Sequence, residues 1–305
     1  MSAGPEAERS APAAAAAMPK PHAIVATLSM IKFAHTVFAL PFALLSAVLS
    51  ADGIPPLSKM FWILVAMVGA RSAAMSFNRI ADRDVDARNP RTASRELPAG
   101  VLSVRFTALF CFASAALFVL AAARLNRLCL LLSPVALAIV LGYSLTKRFT
   151  PLSHVILGVS LAIAPVGAWI AVTGTLSLLP VVLALAVVFW VAGFDVIYSL
   201  QDEAFDKEQG LKSLPANLGS RRALLVSALF HAGALTLLYA AFVLARGGLL
   251  FGLGVLLAGA FLVRQHALVK PGDLSRVDAA FFAANGWLSI VFFACGAADV
   301  LLRAR

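Results

Sequence analysis

Nine runs of apolar residues divide the chain, at 22–50, 57–80, 106–124, 128–145, 153–173, 178–200, 222–245, 248–268 and 279–302, and most of its charge falls in the connections between them. A helix crosses the hydrocarbon core of a bilayer with about 17–25 apolar residues. Only a helix or a closed barrel satisfies its own backbone there, and the alternating ten-residue segments of a barrel do not occur. The pattern therefore predicts an all-α polytopic membrane protein with nine transmembrane helices. Prolines 41, 134 and 165 fall inside three of the runs and are expected to kink them. Residues 1–21 are Ala/Pro-rich and too polar to span, and are expected to form a disordered tail. Glu6 and Glu8 do not suit the basic start of a signal peptide, and Met18 offers an alternative start. Residues 22–305 are expected to form a single domain.

Composition sharpens this. The chain is 61% apolar and 13% charged, against about 45–50% and about 25% for soluble proteins. A water-soluble enzyme core is excluded. A net charge of +10 would suit a nucleic-acid binder, but in so apolar a chain the positive-inside rule explains it better, and no nucleic-acid partner is expected. With the N-terminus inside, the tail and the connections after even-numbered runs carry 17 Lys/Arg, and the opposite side carries 6. This places the protein in the inner, cytoplasmic membrane with both connections discussed next facing the cytoplasm. Cys111, Cys129 and Cys295 stand singly in apolar runs, without ligand spacing, and are expected to be packing residues.

Two polar connections carry the chemistry. The one after the second run reads NRIADRDVDARNPRTASRELPAG, placing Asn78, Asp82 and Asp86 four residues apart. The one after the sixth reads DVIYSLQDEAFDKEQGLKS, where Tyr198, Asp202 and Asp206 repeat that step. On a helix such spacing makes one stripe of oxygen atoms. Ligand sets of oxygen alone suit hard cations, Mg2+ first, and Mg2+ completes its shell with substrate phosphate. Basic residues follow each stripe: Arg83, Arg88, Arg91 and Arg95, then Lys212. They either neutralise a diphosphate or merely obey the positive-inside rule.

At these two connections the chain resembles the UbiA superfamily of membrane prenyltransferases. NxxxDxxxD with RTxxRxLPxG, and YxxxDxxxDxxxGxKS, match its two magnesium–diphosphate signatures, and the helix count fits as well. The resemblance implies nine helices bundled around a central cavity, a Mg2+ cofactor, and a polyprenyl diphosphate substrate drawn from the lipid bilayer. It assigns Asn78, Asp82 and Asp86 to one metal set and Asp202 and Asp206 to the other, with Tyr198 and Lys212 touching substrate or diphosphate. Arg79 departs from the pattern, since many members carry Asp after the Asn. IKFAHTVFALPFAL in the first run and FDVIYSLQDEAFDKEQGLKS at the end of the sixth look like the 4-hydroxybenzoate polyprenyltransferase branch of quinone biosynthesis, ubiquinone or menaquinone. The implied reaction ionises an allylic diphosphate and prenylates a small aromatic acid.

Further residues are expected to serve that reaction. Arg91 and Arg95, with Lys147 and Arg148 at the end of the fourth run, would meet the diphosphate. Arg71 lies two turns before Asn78, deeper in the membrane, and either binds the acceptor's carboxylate or forms an ion pair. Asp195 either orients the phenol, accepts its proton or pairs with Arg71. Lys32 and His35 share a face of the first helix and either reach the acceptor or, for Lys32, snorkel to the surface. His154, His231 and His266 stand alone and receive no role. Dihydroxynaphthoate, haem and chlorophyll precursors are alternative acceptors. The competing class is a transporter, but the carboxylates gather at one surface and not at the midplane where transporters bind substrate.

Overall fold

A computed structural model of the chain describes residues 23–31 and 38–303. Helices α1 (Ala23–Met30), α2 (Leu40–Ala51), α3 (Leu57–Ala81), α4 (Arg83–Arg88), α5 (Val104–Leu125), α6 (Arg127–Thr146) and α7 (Ser153–Thr173) form the first half. α8 (Leu178–Ser199), α9 (Glu203–Glu208), α10 (Leu214–Leu218), α11 (Ser220–Leu244), α12 (Leu249–Leu268) and α13 (Ala284–Arg303) form the second. Among the described residues 8 helices are long and apolar enough to cross a membrane. The chain is a multi-pass membrane protein.

The first run departs from expectation. It is present as α1 and α2, with residues 32–37 outside the described residues. The 12 residues of α2 rise about 18 Å, short of a core about 30 Å thick. Pro41 begins α2, where its missing N–H costs nothing, and so does not kink a helix. Pro134 and Pro165 do lie inside α6 and α7. The last run opens with a π-helical turn, Ala279–Ala283, before α13.

Sequence chemistry explains the ends. Asn126 serves three helices at once: its N–H closes α5 on the Ala122 carbonyl, its Oδ1 accepts from Cys129 N–H to cap α6, and its Nδ2 donates to the Ile170 carbonyl of α7 at 2.7 Å. Gly174 ends α7 with φ 75°, the left-handed turn that favours glycine. With lipid outside, helices gain little from burying apolar surface against each other, so small residues set how closely they approach. A Cβ on Gly158 would lie 2.5 Å from the Val188 carbonyl oxygen, so α7 and α8 pack backbone to backbone. Gly69 does the same for α3 against Ser114 and Phe118 of α5.

α8 is the most enclosed helix, with Trp190 donating from Nε1 to Asn285 Oδ1 at 2.8 Å. Outward residues such as Leu109, Phe112, Leu131, Leu256 and Val263 are exposed and apolar, as lipid requires. α3 and α8 finish at the same end of the bundle. There the short helices α4, α9 and α10 and the connection 89–103 collect, with Lys212 N–H donating to the Lys147 carbonyl at 2.8 Å.

Candidate functional site

The two carboxylate connections fold alike. α3 breaks at Asp82 (φ −97°, ψ 5°) into the six-residue α4. α8 runs through the 3-10 turn Leu200–Asp202 and breaks at Asp202 (φ −102°, ψ 5°) into the six-residue α9. Asp86 and Asp206, each four residues past its break, are buried at 5% and 0% exposure. The backbone keeps the four-residue step across the first break: Asp82 N–H donates to Asn78 O, and Asp86 N–H to Asp82 O. Asn78 Nδ2 also donates to Asp82 Oδ2 at 2.8 Å. Asp84, on another face, is exposed beside Arg83.

Basic side chains hold all four carboxylates. Arg91 donates from Nε to Asp202 Oδ1 at 2.9 Å and from Nη2 to Oδ2 at 2.5 Å, with Asn89 Nδ2 adding a third contact to Oδ1 at 3.0 Å. Arg95 Nη1 reaches both oxygens of Asp86, at 2.7 and 2.8 Å. Lys147 stands 2.8 Å from Asp206 Oδ1, and Arg148 stands 3.6 Å from Asp82 Oδ1 while donating to the Ala81 carbonyl. Lys147 also lies within electrostatic reach of Asp82 and Asp202, so it stands between the two clusters. Burial, then the charge of Asp86, holds the Asp82 carboxyl above the ordinary carboxylate range, while Arg148, Arg95 and Lys147 pull it down.

Beside these pairs a polar pocket of about 310 Å³ is lined by Arg79, Arg91, Arg95, Tyr198, Gln201 and neighbours. Tyr198 packs against Phe281, ring centroids 4.1 Å apart and planes tilted by 31°, and the Arg91 guanidinium lies over its ring at 5.4 Å. Arg79, the departure from the family pattern, is 2% exposed, donates to Asn78 Oδ1 at 3.3 Å and stands 3.8 Å from Glu96. It gives the pocket a third guanidinium.

Deeper in the bundle an apolar cavity of about 560 Å³ lies among α3, α5, α6, α7 and α8. Its charged lining residue is Arg71, and Tyr143 joins it. Tyr143 lies within electrostatic reach of Arg71, Asp82 and Asp195, so the polar end of the cavity adjoins the first cluster. Asp195 pairs with His154, Nδ1 to Oδ2 at 2.7 Å, and not with Arg71 as one expectation held.

The expected residues are thus largely brought together: Asn78, Asp82, Asp86, Asp202, Asp206, Arg91, Arg95, Lys147, Arg148 and Tyr198 share one end of the bundle, with Arg71 and Asp195 below it. Lys212 is exposed and contributes a backbone contact. Lys32 and His35 lie outside the described residues. Asn89, Glu96 and Tyr143 were not singled out from sequence, and His154, given no role there, is found paired with Asp195. Asn89 and Glu96 stand within the basic connection, while Tyr143 and His154 carry no local signal beyond being polar residues in apolar runs.

Among the described residues no three His, Cys, Asp or Glu side chains converge as a closed metal cage. The donors are oxygens, two carboxylates to a cluster, and Asp206 Oδ2 is buried without a hydrogen-bond partner. Such a set fits a hard cation that takes its remaining ligands from substrate and water.

Comparison with known proteins agrees. The profile of the UbiA prenyltransferase family matches residues 39–291. The chain is 32% identical over 258 residues to 4-hydroxybenzoate octaprenyltransferase of Nitrosomonas europaea, covering 84% of this chain and 87% of the relative. The apo structure of a UbiA homolog from Aeropyrum pernix K1 superposes with a TM-score of 0.79 at 38% identity, covering 86% of this chain and 96% of the homolog. A UbiA homolog from Archaeoglobus fulgidus bound to GPP and Mg2+ shares the fold, with a TM-score of 0.73 at 23% identity, over 91% of this chain and 99% of its own. The chain belongs to the UbiA prenyltransferase family.

Proposed function

We propose that this protein moves a polyprenyl group from polyprenyl diphosphate to 4-hydroxybenzoate or a close aromatic acid, with Mg2+ as cofactor, in quinone biosynthesis at the inner face of the cytoplasmic membrane. The observation that carries the reading is the meeting of two Asp clusters and three guanidiniums at the polar end of an apolar cavity that holds Arg71. The relatives named as 4-hydroxybenzoate octaprenyltransferases support the acceptor, and the GPP- and Mg2+-bound homolog supports the cofactor.

Asn78, Asp82 and Asp86 would hold one Mg2+, and Asp202 and Asp206 the other. Mg2+ held there would supply positive charge that stabilises the leaving diphosphate. The side chains do the rest. Arg91, Arg95, Lys147, Arg148 and Lys212 neutralise the diphosphate oxygens, so the allylic carbon–oxygen bond breaks with its electron pair left on diphosphate. The apolar cavity keeps water from the allylic cation. Arg71 binds the acceptor's carboxylate at two points. Asp195 takes the phenol proton, and the ring carbon ortho to the oxygen forms the new carbon–carbon bond. The dienone so formed loses its ring proton to the released diphosphate, and Asp195 returns its proton to the oxygen. Residues 22–305 act as one domain.

Incubating the purified protein with polyprenyl diphosphate, Mg2+ and a panel of aromatic acids, including dihydroxynaphthoate, tests this by mass spectrometry. A prenylated 4-hydroxybenzoate is expected. Transfer to dihydroxynaphthoate alone would reassign the acceptor.

A further inference from the structure

We propose that His154 is a positioning residue for the transfer: its ring fixes the Asp195 carboxylate, through a tautomer that the backbone dictates. His154 stands in the first turn of α7 and is 2% exposed. The backbone N–H of Leu214 donates to its Nε2 at 3.3 Å. A ring nitrogen that accepts a hydrogen bond carries no proton, so in the neutral imidazole the proton resides on Nδ1. Nδ1 is 2.7 Å from Asp195 Oδ2 and donates to it.

The donor that sets the tautomer is itself held. Ser213 Oγ accepts from Ala216 N–H at 3.3 Å and starts α10, which fixes the peptide carrying the Leu214 N–H. Three elements therefore meet at one imidazole: α10 sets the tautomer, α7 supplies the ring, and α8 accepts its Nδ1 hydrogen bond. The Asp195 side chain keeps 23% of its exposure, and Tyr143, which lines the Arg71 cavity, lies within its electrostatic reach. One oxygen is held by the imidazole and the other is free to meet the acceptor's hydroxyl. The imidazole orients the carboxylate through this one hydrogen bond. Its catalytic consequence rests on the prenyl-transfer reading; its geometry does not.

Two substitutions separate the two contacts. His154→Asn keeps a donor where Nδ1 sits, and His154→Gln keeps an acceptor where Nε2 sits. In the full-length protein His154→Asn should retain most acceptor-dependent kcat. His154→Gln should lose about tenfold or more, the weight of one charge-assisted hydrogen bond, with the KM for prenyl diphosphate unchanged. Nitrogen-15 NMR of histidine-labelled wild-type protein, with the signal assigned by its loss in His154→Asn, should show a protonated Nδ1 and a bare Nε2. Full activity in His154→Gln with loss in His154→Asn would make His154 a structural tie to Leu214 and overturn the proposal, as would a ring protonated on Nε2. Absence of any transfer by the wild type would refute the prenyl-transfer reading alone, and the tautomer then decides whether His154 holds Asp195.

Discussion

Arg91 and Asp202, 111 residues apart, meet side by side, Nε 2.9 Å from Oδ1 and Nη2 2.5 Å from Oδ2. The pair pins the connection after α3 to the end of α8, so the two clusters keep register through a planar fork. Lysine retains the charge but offers a single point of contact. Arg91→Lys is therefore expected to raise the apparent KM for prenyl diphosphate by about tenfold, and Arg91→Gln by more. Steady-state kinetics check this, and wild-type values in Arg91→Lys would contradict the role of the fork.

The close approach of α7 and α8 sets the separation of His154 from Asp195. A methyl group on Gly158 would meet the Val188 carbonyl at 2.5 Å, whereas one on Gly167, also in α7, meets nothing within 4 Å. Gly158→Ala should cost about 1–3 kcal/mol of stability and lower the unfolding temperature in detergent. Gly167→Ala should leave it unchanged. Equal behaviour of the two variants would refute backbone contact as the determinant of this packing.

Acceptor recognition and diphosphate activation occupy different depths. Arg71 lines the apolar cavity, while Arg79, Arg91 and Arg95 line the polar pocket. Arg71→Leu is expected to raise the KM for the aromatic acid severalfold or more and to leave that for the prenyl diphosphate nearly unchanged. Equal weakening toward both substrates in a folded variant would make Arg71 a structural residue.

The short helices α4, α9 and α10 share one end of the bundle with most of the Lys/Arg bias, so both Asp connections should face the cytoplasm. A cysteine placed at Glu208 in a cysteine-free variant should resist impermeant maleimide in intact cells and react after permeabilisation. Labelling in intact cells would reverse the orientation.

Much of the site was legible because its spacing follows helix pitch. Asn78, Asp82 and Asp86 keep a four-residue step even though α3 ends at Ala81, since the backbone hydrogen bonds continue through the break. The partners were not legible. Nothing local to Asp202 names Arg91, and nothing local to Asp195 names His154, 41 residues away. A lone histidine in an apolar run has no period or spacing to mark it; tertiary packing alone brings it to a carboxylate. Hydropathy likewise gave Pro41 as a kink, because it measures composition and not where a helix begins, and Pro41 proved to be a start signal for α2.

The central claim is that the two Asp clusters together hold magnesium and diphosphate. Isothermal titration of a non-hydrolysable prenyl diphosphate analogue into purified protein, with Mg2+ and with EDTA, tests it most directly. Binding should require Mg2+, return when Mg2+ is restored, and be lost in both Asp82→Ala and Asp202→Ala while each variant remains inserted and folded. Undiminished Mg2+-dependent binding in either variant would contradict the account.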